Sequence, residues 1–122
     1  MVSLAEVRSS NTRITSALPP RLVAVFVGAT NGIGETSLKQ FAKHARQPNV
    51  YFVGRSQEAG DRIADECKAM NPDGVFTFIK ADVSLIKTVD DVCRTIKARE
   101  TSINLLFLSA GRLVFHTSMY LL

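Results

Sequence analysis

Cysteine and histidine are scarce in this sequence, which has only two of each among its 122 residues. Cys67 and Cys93 do not form a C-x-x-C pair, so the default prediction is two buried thiols in a reducing compartment. His44 and His116 stand alone, which argues against a metal site. Residues 1–21 lack an apolar core of signal-peptide length, so secretion and membrane spanning are not expected, and a cytoplasmic location is predicted.

The N-terminal segment is rich in Ser and Arg, and Glu6 is its only acidic residue. This composition resembles that of a mitochondrial presequence, but Ile14, Ala17 and Leu18 could equally pack on an uncovered face of a sheet. We interpret residues 1–21 as an N-terminal extension.

Positive charge exceeds negative charge, with a formal net charge of +4 and a pI near 9.4. This excess permits a nucleic-acid or anionic membrane surface in principle. The basic residues are spread along the chain, however, and Lys39, Lys43 and Arg46 fit a solvated helix face with no interleaved aromatics. We therefore expect neither nucleic acid nor membrane among the partners. Salt-sensitive binding of DNA or RNA would contradict this.

The most informative segment is the octapeptide V-G-A-T-N-G-I-G at residues 27–34. A β-branched-rich apolar run precedes it, as expected for a strand buried on both faces. Gly28 suits a tight turn, while Gly32 and Gly34 would let backbone N–H groups and the following helix approach a pyrophosphate closely. First-turn amides and the helix dipole bind such an anion without a basic side chain. An ordinary glycine-rich turn is the alternative.

Strands and helices alternate regularly along the chain. Strands are predicted at residues 22–27, 50–53, 75–80 and 104–108, with helices at 32–45, 57–70 and from 85 onward, the last two capped by Ser56 and Ser84. The residues expected to face the sheet are Ile33, Ser37, Phe41 and Ala45, then Ala59, Ile63, Cys67 and Met70, then Leu85, Val89, Val92 and Ile96. This order predicts an α/β fold, a three-layer Rossmann-type doubly wound parallel sheet of about four strands in the order 3-2-1-4.

Four segments in order resemble motifs of the short-chain dehydrogenase/reductase family. The loop resembles the family's T-G-x-x-x-G-x-G, with Val27 where Thr is usual. Residues 52–56 resemble the end of its second strand, residues 81–84 its adenine-contacting Asp after the third, and residues 108–111 its N-A-G, with Ser109 in place of Asn. The resemblance implies a dinucleotide-binding domain at residues 22–111, most like fungal members of polyketide or meroterpenoid pathways. It places the following residues at the cofactor: Gly28, Thr30, Asn31, Gly32, Ile33, Gly34, Arg55, Asp82, Val83, Ser109, Ala110 and Gly111.

Arg55 directs the prediction of the cofactor. Enzymes that prefer NAD usually carry Asp or Glu near the end of the second strand, where the acid binds the ribose hydroxyls and repels a 2′-phosphate. Here Gly54 and Arg55 stand at that position, and a guanidinium can pair bidentately with a phosphate, which predicts NADP. A solvated surface Arg is the alternative. Asp82 would bind the adenine amino group beside Val83, as the resemblance implies, or would be a turn residue before a helix.

The family's proton donor, a Tyr followed four residues later by Lys, has no counterpart in this sequence. Tyr51 is followed at that distance by Arg55 and is interpreted as a half-buried strand residue, and only two residues follow Tyr120. We predict no catalytic residue, truncation before the Tyr-Lys pair, and a divergent tail at residues 112–122. The predicted function is carbonyl and alcohol interconversion by hydride transfer with NADP in fungal secondary metabolism, with a substrate bound only by a longer form. The alternative is a catalytically inactive nucleotide-binding or dimerisation module.

The predicted fourth strand is continuously apolar at residues 105–108. Without a further strand beside it, this segment would form an exposed edge that pairs readily with another chain. We expect a homo-oligomer, or aggregation, through this edge.

Overall fold

The computed structural model describes residues 1–110. Gly111, His116, Tyr120 and the predicted tail at 112–122 lie outside the described residues. In chain order the elements are α1 (Leu4–Thr12), α2 (Ile14–Ala17), β1 (Val23–Val27), α3 (Gly32–His44), β2 (Asn49–Gly54), α4 (Gln57–Met70), β3 (Val75–Lys80), α5 (Ile86–Lys97) and β4 (Leu105–Leu108). The predicted alternation from β1 onward is confirmed.

The strands form one parallel sheet in the order β3-β2-β1-β4, as predicted. The register sets Val27 at the end of β1 beside Val53 of β2 and Leu108 of β4. The connection from β3 to β4 passes over β2 and β1, so the strand order reverses between β1 and β4. Because all the strands are parallel, their carboxyl ends meet at one edge of the sheet.

Each face of the sheet carries its own apolar core, which makes the predicted three layers. On one face, α3 and α4 pack on β1 and β2, and the buried residues are Ala24, Phe26, Ala29, Leu38, Ala42, Val50, Phe52, Ile63 and Cys67. On the other face α5 contributes, and the buried residues are Val25, Tyr51, Val53, Ala81, Val92 and Ile96. The alternation of strand residues between these two sets follows from the two-residue period of a strand.

The predicted face of α3 is correct in part, because Ala45 is 4% exposed and Phe41 packs, partly buried, against the core. Ile33 is 79% exposed, and the buried residues are Gly34, Leu38 and Ala42, one position further along the helix. The cause is the close packing of Gly34 on the preceding turn, where a Cβ would collide with the carbonyl oxygen of Gly28. This contact sets the rotation of α3, and positions 38 and 42 then face the sheet because they lie one and two turns beyond.

The predicted faces of α4 and α5 are each correct in part. In α4, Ile63 and Cys67 are buried as predicted, but the third buried residue is Gly60 and not Ala59. The ring of Phe78 packs against Gly60 and occupies the space that a Cβ there would need. Met70 is 41% exposed. In α5 only Val92 and Ile96 are buried, since the helix meets the sheet with its second half, and Leu85 and Val89 are 57% and 38% exposed.

The N-terminal helices bury no residue, so the structure does not support the alternative in which Ile14, Ala17 and Leu18 pack on an uncovered face of the sheet. Neither α1 nor α2 buries a residue, and Leu18 is 41% exposed. The segment attaches instead to the C-terminal end of α3. There Thr15 Oγ1 donates a hydrogen bond to the carbonyl oxygen of His44, and Arg46 Nη2 donates to that of Leu18, each at 2.7 Å. In residues 1–110, no helix has the length and apolarity to cross a membrane.

Two further side chains depart from prediction. Tyr51 is only 3% exposed, and its hydroxyl donates a 2.7 Å hydrogen bond to Glu100 Oε1 in the loop after α5. A polar partner within the protein allows the Tyr to be fully buried where a half-buried residue was expected. Cys67 is buried as predicted, whereas Cys93 is exposed because its neighbour Val92 takes the inward position on α5.

Candidate functional site

A cleft of about 530 Å³ lies at the carboxyl edge of the sheet. The lining comes from the end of β2 and from the loops that follow the four strands. It consists of Gly28, Thr30, Asn31, Val53, Gly54, Arg55, Ala81, Asp82, Val83, Ser84, Ser109 and Ala110. In open α/β sheets, ligands bind outside the carboxyl ends of the strands where the strand order reverses. The strand order reverses between β1 and β4, so the topology alone indicates that this cleft is the candidate site.

Hydrogen bonds beyond the strand ends hold the loops of the cleft in place. Gly28 N–H donates to the carbonyl oxygen of Val53 at 3.0 Å, and Ala81 N–H donates to that of Gly54 at 2.8 Å. Ser109 N–H donates to the carbonyl oxygen of Val27 at 2.9 Å. The sheet ladder therefore continues into the loops, and the rigid sheet positions the first residue of each.

The three loop glycines are required for different reasons. Gly28 has φ +85°, and a Cβ there would lie 2.6 Å from the backbone nitrogen of Ala110. At Gly34 a Cβ would collide with the Gly28 carbonyl oxygen and with Ser109 Oγ. Gly32 has φ +56°, yet a Cβ there would meet nothing within 4 Å. Gly28 and Gly34 thus permit close packing, whereas Gly32 is required for its positive φ alone.

The N-terminus of α3 is well arranged to receive an anion. Asn31 is its N-cap, but within the described chain the Asn31 side chain makes no capping hydrogen bond. The N–H groups of the first turn have no intrahelical partner, so they are available to an anionic ligand, which the helix dipole also favours.

Glu35 lies in the first turn of α3, where its charge would repel an anion. Two cations offset that charge, since Lys39 Nζ lies 2.7 Å from Glu35 Oε2 and Arg62 Nη2 lies 3.2 Å from Glu35 Oε1. The hydrogen bond from Lys39 is the main cause that holds the pKa of Glu35 below its usual value of 4.5. Lys39 and Arg62 also pair with Glu66 of α4, so the same cluster joins the two helices.

Ser109 takes the position where the family pattern has Asn. Its hydroxyl oxygen lies 2.9 Å from the carbonyl oxygen of Gly28 and 3.3 Å from that of Val27, in hydrogen-bonding range of both. The short side chain reaches these groups because β4 is hydrogen-bonded directly to β1. Ser109 thereby links the end of β4 to the glycine loop.

Arg55 and Asp82 stand on the rim of the cleft after β2 and β3. Asp82 Oδ1 accepts two hydrogen bonds from Ser84, one from Oγ at 2.6 Å and one from the backbone nitrogen at 3.0 Å. These bonds, together with the nearby charge of Arg55, hold the pKa of Asp82 below its usual value of 3.8. The Asp82 carboxylate is therefore ionised near neutral pH and acts only as an acceptor. The prediction of Ser84 as the N-cap of α5 is wrong, because Leu85 occupies that position and the Ser84 hydroxyl turns back to Asp82.

The structure brings most of the predicted site residues together around one cleft. Gly32 and Ile33 lie on the adjoining surface at the start of α3, Gly34 is buried beneath the loop, and Gly111 lies outside the described residues. The prediction missed Val53, Gly54, Ala81 and Ser84, which also line the cleft. Their position directly beside predicted site residues at strand ends is the signal that could have found them. Among residues 1–110, no three His, Cys, Asp or Glu side chains group as a metal site would require.

The family model for short chain dehydrogenase matches residues 22–120. The chain belongs to the short-chain dehydrogenase family. Among curated members of similar sequence, the NmrA-like family domain-containing oxidoreductase notO of Aspergillus sp. (strain MF297-2) is 43% identical over 117 residues, which are 94% of this chain and 35% of that protein. The oxidoreductase andH of Emericella variicolor is 38% identical over 111 residues, or 91% of this chain and 33% of that protein. The chain spans about one third of the length of these curated relatives.

Solved short-chain dehydrogenase structures share the fold. The L-sorbose reductase of Gluconobacter frateurii, solved with NADPH and L-sorbose, superposes with a TM-score of 0.73 at 24% identity, covering 82% of this chain and 37% of that one. The bulky-bulky ketone specific alcohol dehydrogenase of Comamonas testosteroni gives a TM-score of 0.62 at 27% identity, covering 72% of this chain and 34% of that one.

Proposed function

We propose that this chain binds NADP(H) in the cleft and is the cofactor-binding part of an oxidoreductase that interconverts a carbonyl and an alcohol. The observation that carries the proposal is Arg55 at the end of β2, on the rim of a cleft that also contains the N-terminus of α3. Among family structures, the L-sorbose reductase is described with NADPH and the alcohol dehydrogenase of Thermococcus sibiricus with 5-hydroxy-NADP, which supports this cofactor class.

The residues fit the three charged or polar parts of such a cofactor. The diphosphate would lie against the loop of Gly28, Thr30 and Asn31 and the first-turn amides of Gly32, Ile33 and Gly34. The 2′-phosphate would pair with Arg55. The adenine would bind Asp82 beside Val83, and Ser109 and Ala110 would contact the cofactor from the end of β4. Gly111, which lies outside the described residues, is proposed as a further cofactor-binding residue.

When bound, the nicotinamide supplies the hydride, and a positioned acid must protonate the developing alkoxide. We assign no catalytic residue among residues 1–110 and propose that substrate binding belongs to a longer form. We also propose a cytoplasmic location and a role in fungal secondary metabolism. The proposed metabolic role is supported by the oxidoreductases from Aspergillus and Emericella among the relatives.

The test is calorimetric titration of the full 122-residue chain with NADP and with NAD. Arg55→Ala should weaken NADP binding about tenfold or more, because a hydrogen bond to a charged group contributes about 1.5–3 kcal/mol, and should leave NAD binding unchanged. Arg94→Ala is the matched control, since it removes the same charge from a side chain that is 77% exposed and pairs with Asp91 on α5. A folded protein that binds neither nucleotide, or equal effects of the two variants, would refute the proposal.

The exposed β4 favours self-association as a second function. Leu106 and Leu108 are 56% and 69% exposed and share a face with Val25 and Val27 of β1. We propose that two chains associate through this strand. Light scattering at increasing concentration should show a dimer that Leu106→Lys disrupts. Val75→Lys, at the 56% exposed start of β3 on the other edge, should leave the mass unchanged. A monomer at all concentrations would refute this function.

A further inference from the structure

Ser84 lines the cleft but does not cap the helix that follows it. Both of its donors go to one atom, Asp82 Oδ1. We propose that Ser84 is a positioning residue, which fixes the Asp82 carboxylate so that the remaining oxygen receives the amino group of the purine and selects adenine. The inference rests on the proposed function, since it concerns the base of the bound dinucleotide.

The geometry of the two hydrogen bonds supports this role. A carboxylate bound through one backbone N–H can still rotate about its terminal torsion, which is broad. The added bond from Ser84 Oγ to the same oxygen, at 2.6 Å, fixes the carboxylate plane from a second direction. Within residues 1–110, no hydrogen bond reaches Asp82 Oδ2, which therefore keeps its acceptor capacity for a ligand.

Arg55 supplies the reason that such restraint is needed. The guanidinium attracts the Asp82 carboxylate, yet in the described part of the chain the two do not form an ion pair. An unrestrained Asp82 would turn toward Arg55, and both groups would then be less available, the acid to the base and the guanidinium to the 2′-phosphate. Ser84 keeps the two recognition groups separate.

The experiment compares NADP with nicotinamide hypoxanthine dinucleotide phosphate, whose base carries an oxygen in place of the amino group. In calorimetric titrations of the full chain, Ser84→Ala should lower the affinity for NADP about three- to tenfold and that for the analogue less than about twofold. Ser84→Thr keeps the hydroxyl and should retain the preference for NADP. A purely structural role would weaken both ligands equally, so the ratio of the two affinities separates the roles.

A double-variant cycle completes the test. In the Asp82→Ala background, Ser84→Ala should cause no further loss of preference, because Ser84 acts through Asp82. Ser84→Cys, a weak donor of similar size, replaces Ser84→Ala if the latter fails to fold. An unchanged affinity ratio in Ser84→Ala, or an undiminished effect without Asp82, overturns the inference while NADP binding by the wild type stands. Absence of NADP binding by the folded wild type overturns the proposed function, and this inference with it.

Discussion

Replacement of Gly32 by Ala should separate the stability of the fold from its capacity to bind the cofactor. Gly32 has φ +56°, and an added Cβ would meet nothing within 4 Å. The variant therefore introduces backbone strain without a clash. Because we place the diphosphate against this turn, we expect the added methyl group to obstruct its binding. Gly34→Ala is the opposite case, because its Cβ would collide with the Gly28 carbonyl oxygen and Ser109 Oγ.

The expected magnitudes follow from these contacts. The left-handed conformation costs a non-Gly residue about 1–2 kcal/mol, and the reduced freedom of Ala in the unfolded chain offsets about 0.4–1 kcal/mol of it. We expect Gly32→Ala to lower the free energy of unfolding by about 1 kcal/mol, or the Tm by about 4–8 °C. Gly34→Ala must displace backbone in a packed loop, and we expect a loss of about 3 kcal/mol.

Urea unfolding of both variants gives the stability values, and calorimetry with NADP gives the affinity. We expect Gly32→Ala to bind NADP at least about tenfold more weakly than the wild type, because a hydrogen bond to a charged phosphate contributes about 1.5–3 kcal/mol. Wild-type affinity in Gly32→Ala would show that the diphosphate does not lie at this turn. Equal destabilisation by the two substitutions would show that the described loop packing is wrong.

Three further outcomes are expected. Native protein treated with iodoacetamide should be labelled at Cys93 alone, because burial raises the pKa of the Cys67 thiol to about 11 and shields the sulfur from the reagent. Mass spectrometry that finds Cys67 labelled first would contradict this expectation. Glu35 has a lowered pKa in the folded state, so its stabilising contribution is complete above about pH 4.5 and is lost as the pH falls through the lower folded value. Glu35→Gln should reduce the dependence of the urea unfolding midpoint on pH over that range. A pH dependence equal to that of the wild type would contradict the pairing of Glu35 with Lys39. Tyr51→Phe should lower the free energy of unfolding in urea by about 1 kcal/mol, because only the hydrogen bond to Glu100 is lost. If Glu100→Gln lowers it by the same amount in the wild type and in the Tyr51→Phe variant, the two residues are not coupled.

The alternation of strands and helices could be predicted from the sequence because it depends on local patterns, and the Rossmann-type topology then supplied the strand order and the edge at which the cleft lies. Continuous apolar runs mark strands with two buried faces, and intervening helical spacing requires parallel crossovers. Because the strands are parallel, the residues that follow them meet at one edge of the sheet, whatever the orientation of their side chains. The resemblance to the family placed Gly28, Arg55, Asp82 and Ser109 at the cofactor, and the structure brings these residues of four separate segments to one cleft.

The errors concern contacts between distant segments. The rotation of α3 depends on Gly34 packing against Gly28 and Ser109, and a helical period cannot reveal a one-residue shift when neighbouring positions are both small or apolar. The hydroxyl of Ser84 had two possible partners, the helix that follows and the acid that precedes, and sequence favoured the commoner one. Glu100 is far from Tyr51 in the chain, so nothing local predicted a buried phenol.

The attachment of α1 and α2 has a consequence for the dynamics of the chain. These helices bury no residue, and the side-chain bonds that tie them to α3 run from Thr15 and Arg46 to backbone oxygens. Their opening therefore requires little free energy and leaves both apolar cores intact. Amide hydrogens of α1 should exchange with solvent long before those of β1 and β2. A protease should likewise release the first residues while the sheet remains folded. We therefore expect the N-terminal helices and the sheet to behave as separate units of stability within one short polypeptide.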